Sequence, residues 1–154
     1  MSLMPKIARK QKSELGIMEY FILALIGRTG LSTLYDFQQK AALQPGAARS
    51  AMQRLERMNL ISRAESSSRR RRELALSEEG YDVLYKSWRE CMKNYLDTES
   101  LIRAAWLALV MNEPMFAAEY LEGNARIRSF MEEEKRMKAE QLAKTQKYLS
   151  HSFI

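Results

Sequence analysis

The chain has 154 residues, of which 46% are apolar and 29% charged, a balance typical of about one globular domain and not of a disordered protein. Its 25 Lys and Arg against 19 Asp and Glu give a formal charge of +6. The charge is unevenly spread: residues 1–76 hold 14 basic and 6 acidic side chains, or +8, whereas residues 77–154 hold 11 and 13, or −2. The basic half therefore points to a polyanionic partner.

Several classes of protein do not fit this composition. The single cysteine, Cys91, cannot form an intramolecular disulfide, which favours a reducing, cytoplasmic location. With His151 as the one histidine, the sequence offers no His/Cys cluster for a metal and no nucleophile–base pair. The longest apolar run, residues 21–26, is far below the roughly 18 residues that span a bilayer. We therefore expect no metal, no cofactor, no membrane contact and no enzymatic activity.

The N-terminal half predicts three helices in succession. Apolar residues recur at helical spacing, and Gly27 and Gly30 are expected to end the first helix. Pro45 suits the first turn of the third helix, and Asn59 suits its C-terminal end because Asn tolerates the left-handed conformation. The predicted helices span about 14–26, 33–41 and 45–58.

The C-terminal half begins with a predicted β-hairpin and continues with helices. Two short segments of alternating polarity, at about 60–64 and 73–76, flank a polar and basic connection. Ser77 is the expected N-cap of the next helix, with acidic residues in its first turn. The predicted helices span about 78–96, 99–111, 114–121 and 124–149. The sequence does not decide whether the last two are separate helices or one helix with a kink at Gly123 and Asn124.

Three helices, a hairpin with a basic tip and a further helix, in this order, are typical of a winged helix-turn-helix. The predicted fold is mainly α. Residues 1–90 are predicted to form a winged helix-turn-helix DNA-binding domain, and residues 91–154 a C-terminal helical dimerisation region. The fifth predicted helix is apolar over most of its surface, and a small domain cannot cover both it and the long last helix. A second copy of the chain can; a monomer whose last helices fold back on the core is the alternative.

The third predicted helix carries hydrogen-bonding side chains opposite its apolar stripe. Arginine pairs bidentately with guanine and glutamine with adenine, and the major groove of B-form DNA accepts one α-helix. A merely solvated helix face is the alternative. Residues in the first half of this helix are expected to contact bases. Residues in its second half, and at the starts of the second and third helices, are expected to contact phosphates or complete the interface. The first group is Arg49, Ser50 and Gln53, and the second is Arg54, Arg57, Ser32, Thr33 and Gln44.

Four consecutive arginines follow the first predicted strand and are the sharpest single feature of the sequence. Like charges in a row repel one another, so four adjacent arginines indicate a function that requires them. In a strand entry alternate side chains point to opposite faces, so two or three of them are expected to reach the DNA backbone or minor groove. A solvated loop, or charges that protect an edge strand, are the alternatives. The hairpin residues predicted to bind DNA are Ser67, Arg69, Arg70, Arg71 and Arg72.

The chain resembles the PadR-like transcriptional regulators over about residues 14–90. The resemblance rests on residues 15–26, on the run 44–61 with its Arg-Leu-Glu and Leu-Ile pieces, and on Leu-Ser-Glu-Glu-Gly at 76–80. Arg49 stands where the family often has Tyr, and Asn59 where it often has Gly. MarR-like regulators share some of these signals, but only about 13 residues precede the first helix here. The matched positions within the second run are Met52, Arg54, Leu55, Glu56, Leu60 and Ile61.

The resemblance implies a homodimer that binds double-stranded DNA. Some PadR-like members also bind flat aromatic compounds, so Tyr85, Trp88 and Trp106 form a candidate effector pocket; core packing is the alternative for such aromatic residues. The leading hypothesis is a sequence-specific, dimeric repressor that reads a pseudo-palindromic operator. A winged-helix protein–protein interaction module, with the basic hairpin on an acidic partner, is the alternative from another class.

Overall fold

The computed structural model of the chain describes residues 15–65 and 72–152, with side chains at 15–63 and 73–151. The fold is mainly helical, with one two-stranded antiparallel sheet. Its elements are α1 (Ile17–Ala24), which continues as a π-helical turn (Leu25–Thr29), α2 (Leu34–Ala41), α3 (Pro45–Arg57), β1 (Ile61–Glu65), β2 (Arg72–Leu76), α4 (Glu78–Ser87), a 3₁₀ turn (Trp88–Cys91), α5 (Thr98–Val110) and α6 (Pro114–Ser152).

The chain forms two compact units, the first ending at Ala117 and the second beginning at Ala118. These bounds describe packing within one chain, and the functional division predicted after residue 90 stays a prediction. Within the described residues, no single helix is long and apolar enough to cross a membrane. One pair of helices reaches the required length and hydropathy together, but it is bent by 93°: α1 with its π-helical turn, and α2.

Helix α1 is the centre of the first unit. Tyr20, Phe21, Ile22 and Leu23 are all nearly inaccessible to solvent, so the helix is buried on every side. It packs against α3, α4 and α5. Gly27, expected to end the helix, instead lies within the π-helical turn, where a side chain would collide with Leu76 of the hairpin. The chain turns only at Gly30, which takes the left-handed conformation at φ 74°.

Helices α2 and α3 have the caps that their sequences indicate. Thr33 caps α2 by accepting a hydrogen bond from the Asp36 N–H at 3.1 Å. Pro45 occupies the first turn of α3, as predicted. Asn59 ends α3 in the left-handed conformation, also as predicted, and the N–H groups of Asn59 and Leu60 bond back to the last turn at 3.0 Å each.

The hairpin is anchored at its base and on one edge. Strands β1 and β2 pair in antiparallel register, with Ile61 opposite Leu76. The Leu74 N–H donates to the Ser32 carbonyl at 2.7 Å, which ties the hairpin to the segment before α2. The predicted hairpin is therefore present, and β2 lies between β1 and that segment.

The start of α4 is locked onto the base of the hairpin. Ser77 caps the helix by accepting from the Gly80 N–H at 3.0 Å, and its hydroxyl donates to the Asn59 carbonyl at 2.7 Å. The Ser77 N–H donates to the Leu60 carbonyl at 2.9 Å. Gly80 packs directly against that carbonyl, and any side chain there would overlap it. The Ser-Glu-Glu-Gly sequence thus has a local structural purpose.

The prediction of one continuous helix over 78–96 is wrong. Helix α4 ends at Ser87 and is followed by the 3₁₀ turn, and residues 92–96 have no regular structure. The apolar spacing continued because a 3₁₀ turn also points Trp88 and Cys91 inward. The Tyr95 hydroxyl donates to the Cys91 carbonyl at 2.7 Å, in place of a helical hydrogen bond.

Helices α5 and α6 are joined by a tight turn at Asn112, which is left-handed at φ 60°. Pro114 then starts α6, as predicted. The sequence left open whether residues 114–149 form one helix or two, and the structure has one helix of 39 residues, α6. The Asn124 side chain donates to the Tyr120 carbonyl at 2.8 Å within the helix. Ion pairs four residues apart, such as Arg126 with Glu122, support the exposed helix surface.

Candidate nucleic-acid interface

The exposed face of α3 is polar and basic. Ala48, Ala51, Met52 and Leu55 are buried, and they hold the opposite face of the helix against the core. At 100° per residue, the exposed polar residues from position 49 onward fall in one stripe along the solvent side. This stripe, the reading face, consists of Arg49, Ser50, Gln53 and Arg57. The structure therefore brings together four of the five residues predicted on this helix.

The fifth, Arg54, is placed differently. It lies on the flank of α3 and forms an ion pair with Glu19 of α1, with Nη1 3.1 Å from Oε1. On the other flank, Glu56 pairs with Arg63 of β1, with Oε1 3.0 Å from Nε. Two ion pairs therefore border the reading face and connect α3 to its neighbours in the fold.

The N-terminus of α2 is closed by a reciprocal cap. While Thr33 accepts from the Asp36 N–H, the Ser32 N–H donates to Asp36 Oδ2 at 3.2 Å. Desolvation raises the pKa of Asp36, but the hydrogen bonds from Ser32 and Thr33 outweigh it and hold this pKa below its ordinary value. The Ser32 backbone N–H and the Thr33 hydroxyl oxygen are therefore both hydrogen-bonded to Asp36, within the cap of α2. Gln44, which precedes α3, is exposed and makes no capping hydrogen bond through its side chain.

The basic tip of the hairpin lies largely outside the described residues. Ser67, Arg69, Arg70 and Arg71 fall in that gap, and the structure describes the backbone of Arg72 alone, in β2 opposite Glu65. The strands on either side of this segment are described, and their last pair is Glu65 with Arg72.

The three residues of the candidate effector pocket lie in different surroundings. Trp88 is buried, with its ring 5.5 Å from that of Phe116 and the Arg89 guanidinium 4.8 Å from its ring centre. Trp106 is 44% exposed, packs edge-on against Phe21 at 6.2 Å and lines a cleft of 170 Å³. Tyr85 is half exposed and stacks against Tyr81, on an open groove along α4. The structure does not bring them into one cavity within the chain, and the pocket stays a prediction.

Sequence reasoning missed Glu19 and Arg63 as parts of this region. Glu19 interrupts the apolar run of α1, and an acidic residue inside a helix that is otherwise buried is a signal that a basic partner lies nearby. Arg63 is opposite Leu74 in the strand register and turns back toward α3. Sequence spacing does not identify the partner of Glu19, because Glu19 and Arg54 are 35 residues apart. It does not identify the partner of Arg63 either, because Arg63 lies in a strand and Glu56 in a helix.

Among the residues with described side chains, no group of three or more His, Cys, Asp or Glu is arranged to hold a metal ion. The reading face presents arginine, glutamine and hydroxyl groups from one helix, and carboxylates pair with arginines on its two flanks. Comparison of the chain with protein-family models, with curated proteins and with solved structures finds no match.

Proposed function

We propose that the chain is a dimeric, sequence-specific DNA-binding regulator of the winged helix-turn-helix type, acting as a repressor on a pseudo-palindromic operator. The observation that carries the proposal is the reading face: four hydrogen-bonding side chains on the exposed side of α3, which packs against α2 and precedes the β1–β2 pair. In the sequence, four consecutive arginines, 69–72, lie between the start of β1 and the end of β2. The resemblance to PadR-like regulators supports the same function.

Each part has a task in this proposal. Arg49, Ser50 and Gln53 enter the major groove and contact base edges, since Arg and Gln match the hydrogen-bonding groups of guanine and adenine. Arg57 and the hairpin arginines contact phosphates, which position the protein but carry no sequence information. The charge of +8 in residues 1–76 favours association with any duplex.

Exposed apolar side chains support the dimeric part of the proposal. Ile102, Trp106 and Leu109 form a stripe along α5, each between 44% and 51% exposed. Helix α6 has a further set in the second unit, including Phe130, which is 71% exposed. A symmetric second copy would bury such surfaces and place two reading faces on successive major grooves. The other large apolar residues exposed in the described part of that unit are Leu121, Ile127, Met131, Met137, Leu142, Tyr148 and Leu149.

The function is tested by selecting bound duplexes from a random pool, with and without a panel of aromatic compounds. We expect one enriched pseudo-palindromic site, bound at least about a thousandfold more tightly than random duplex. Sedimentation of the protein with and without that site gives the stoichiometry, which should be two chains per site. Weak binding to random DNA alone would reject the proposal and favour the interaction module with an acidic partner.

Two variants separate base recognition from phosphate contact. Gln53→Ala should change the selected sequence at one position of each half-site, and an equal loss on selected and random duplex would refute its reading role. Replacing Arg70 and Arg71 by Ala should weaken binding to all duplexes. It should also reduce the slope of log affinity against log salt concentration by roughly 0.9 for each phosphate that the variant no longer neutralises. An unchanged slope would remove the hairpin from the mechanism.

A further inference from the structure

Arg54 differs from the other arginines of α3 in where its side chain ends. Arg49 and Arg57 extend into solvent, whereas the Arg54 side chain is 38% exposed and ends 3.1 Å from Glu19 of α1. At 100° per residue, position 54 lies beside the reading face and not within it. Its guanidinium is therefore directed along the protein surface, toward the neighbouring helix.

Glu19 is placed where a carboxylate needs a cation. It is 9% exposed, and with Asn124 it is one of the two polar or charged residues buried in the described part of the chain. Its neighbours in α1, Tyr20 and Phe21, belong to the core. Removing one partner of such a pair leaves an uncompensated charge in a desolvated place, whereas replacing both by apolar groups is often tolerated.

The opposite flank of α3 has a second pair with the charges reversed. Glu56 of the helix contacts Arg63 of β1, and the two side chains are 32% and 40% exposed. Positions 54 and 56 lie on the two sides of the reading face, whose centre is near Gln53. The two pairs therefore resist rotation of α3 about its own axis in either direction. Because Glu19 is the more buried of the acidic partners, the Arg54 pair is the stronger constraint.

We propose that Arg54 is a positioning residue, which with Glu19 fixes the rotation of α3 and so the direction of the reading face, and that it does not neutralise a phosphate. The inference rests on the proposed function, in which α3 contacts bases. Side-chain atoms lie about 5 Å from a helix axis, so a rotation of roughly 20° moves them by about 1.7 Å. A displacement of this size is enough to break a bidentate hydrogen-bonded pair with a base.

The test compares Arg54→Met, the double variant Glu19→Met/Arg54→Met, and Arg57→Met as the matched control on the same helix. Binding to the selected duplex is measured over a range of salt concentrations. Arg54→Met should weaken binding roughly tenfold to a hundredfold, the range of one misplaced base contact, with the log–log slope unchanged. Arg57→Met should instead reduce the slope by about 0.9. The double variant should recover most of the affinity, since it removes the buried charge together with its partner.

Amide hydrogen exchange of α3 in the free protein gives a readout that needs no DNA. Exchange should be faster in Arg54→Met than in the wild type and should return toward the wild-type rate in the double variant. If Arg54→Met lowers the salt slope, binding is not recovered in the double variant and α3 exchanges as in the wild type, the positioning role is overturned. If the wild type binds no duplex, the proposed function fails, and the exchange of α3 alone decides whether the pair holds the helix.

Discussion

Replacing Gly80 by alanine tests the close approach between α4 and the base of the hairpin. The added methyl group would overlap the carbonyl oxygen of Leu60, well inside the 3.0 Å that separates real Cβ atoms from such neighbours. The obstacle is backbone and cannot rotate away, so the first turn of α4 has to move. That movement breaks or lengthens two hydrogen bonds of Ser77, one to the Leu60 carbonyl at 2.9 Å and one to the Asn59 carbonyl at 2.7 Å.

The cost follows from these contacts. Two hydrogen bonds contribute about 1 kcal/mol each, and overpacking adds about 1–3 kcal/mol. The better helix propensity of alanine offsets up to about 1 kcal/mol of this. We therefore expect a net loss of about 2–5 kcal/mol in the free energy of unfolding, or roughly 5–20 °C in Tm for a chain of this size.

Urea denaturation followed by circular dichroism measures the loss, and Gly46→Ala is the matched control. Gly46 also lies in the first turn of a helix of the first unit, but its added methyl group would meet no atom within 4 Å. Gly46→Ala should be neutral or stabilising by up to about 1 kcal/mol. Equal unfolding midpoints for the two variants would refute the reasoning.

Three further predictions concern single residues. Ala42 ends α2 in the left-handed conformation at φ 52°, so Ala42→Gly should raise the free energy of unfolding by up to about 1 kcal/mol; a decrease in urea denaturation would contradict the strain. Burial raises the pKa of the Cys91 thiol to about 12, which lowers the fraction of reactive thiolate at neutral pH. Alkylation by iodoacetamide at pH 8, followed by mass spectrometry, should be at least about a hundredfold slower in the folded chain than in urea. Equal rates would contradict the prediction. Hydrogen bonds from Ser100 hold the pKa of Asp97 below its ordinary value. The ionised carboxylate therefore stabilises the fold at pH values above that ordinary pKa, and this stabilisation is lost as the pH falls through the pKa of the folded state. Asp97→Asn should reduce the loss of stability measured between pH 5 and pH 2, roughly the range in which carboxyl groups titrate, and an unchanged loss over this range would contradict the prediction.

The helix ends were the most predictable part of the fold. Pro45, Asn59 and Ser77 all act within a few residues of their own position, so their roles can be predicted without knowledge of the tertiary structure. The end of α4 was not predictable in this way. A 3₁₀ turn keeps inward-facing residues at nearly the same spacing as an α-helix, and the packing of Trp88 against Phe116 depends on a residue 28 positions later.

The reading face could be predicted because it follows from helical periodicity alone. The ion pair between Glu19 and Arg54 could not, because its two partners are brought together only when α1 packs against α3. Gly27 shows the same limit. Its sequence context suggests a helix end, whereas it lies within the π-helical turn, where an added Cβ would come within 2.6 Å of Leu76 Cδ1.

The central position of α1 has a consequence for dissecting the chain. Its Phe21 contacts Trp106, α1 packs against α5, and the alanines and leucines at positions 101, 104, 105, 107 and 108 of α5 are buried. A fragment that stops at residue 90 would remove this cover and leave one side of α1 open to water. We expect such a fragment to aggregate or to bind a hydrophobic dye, whereas a fragment that retains residues through 117 should melt cooperatively. We therefore expect the smallest fragment that folds on its own to be larger than the part proposed to contact DNA.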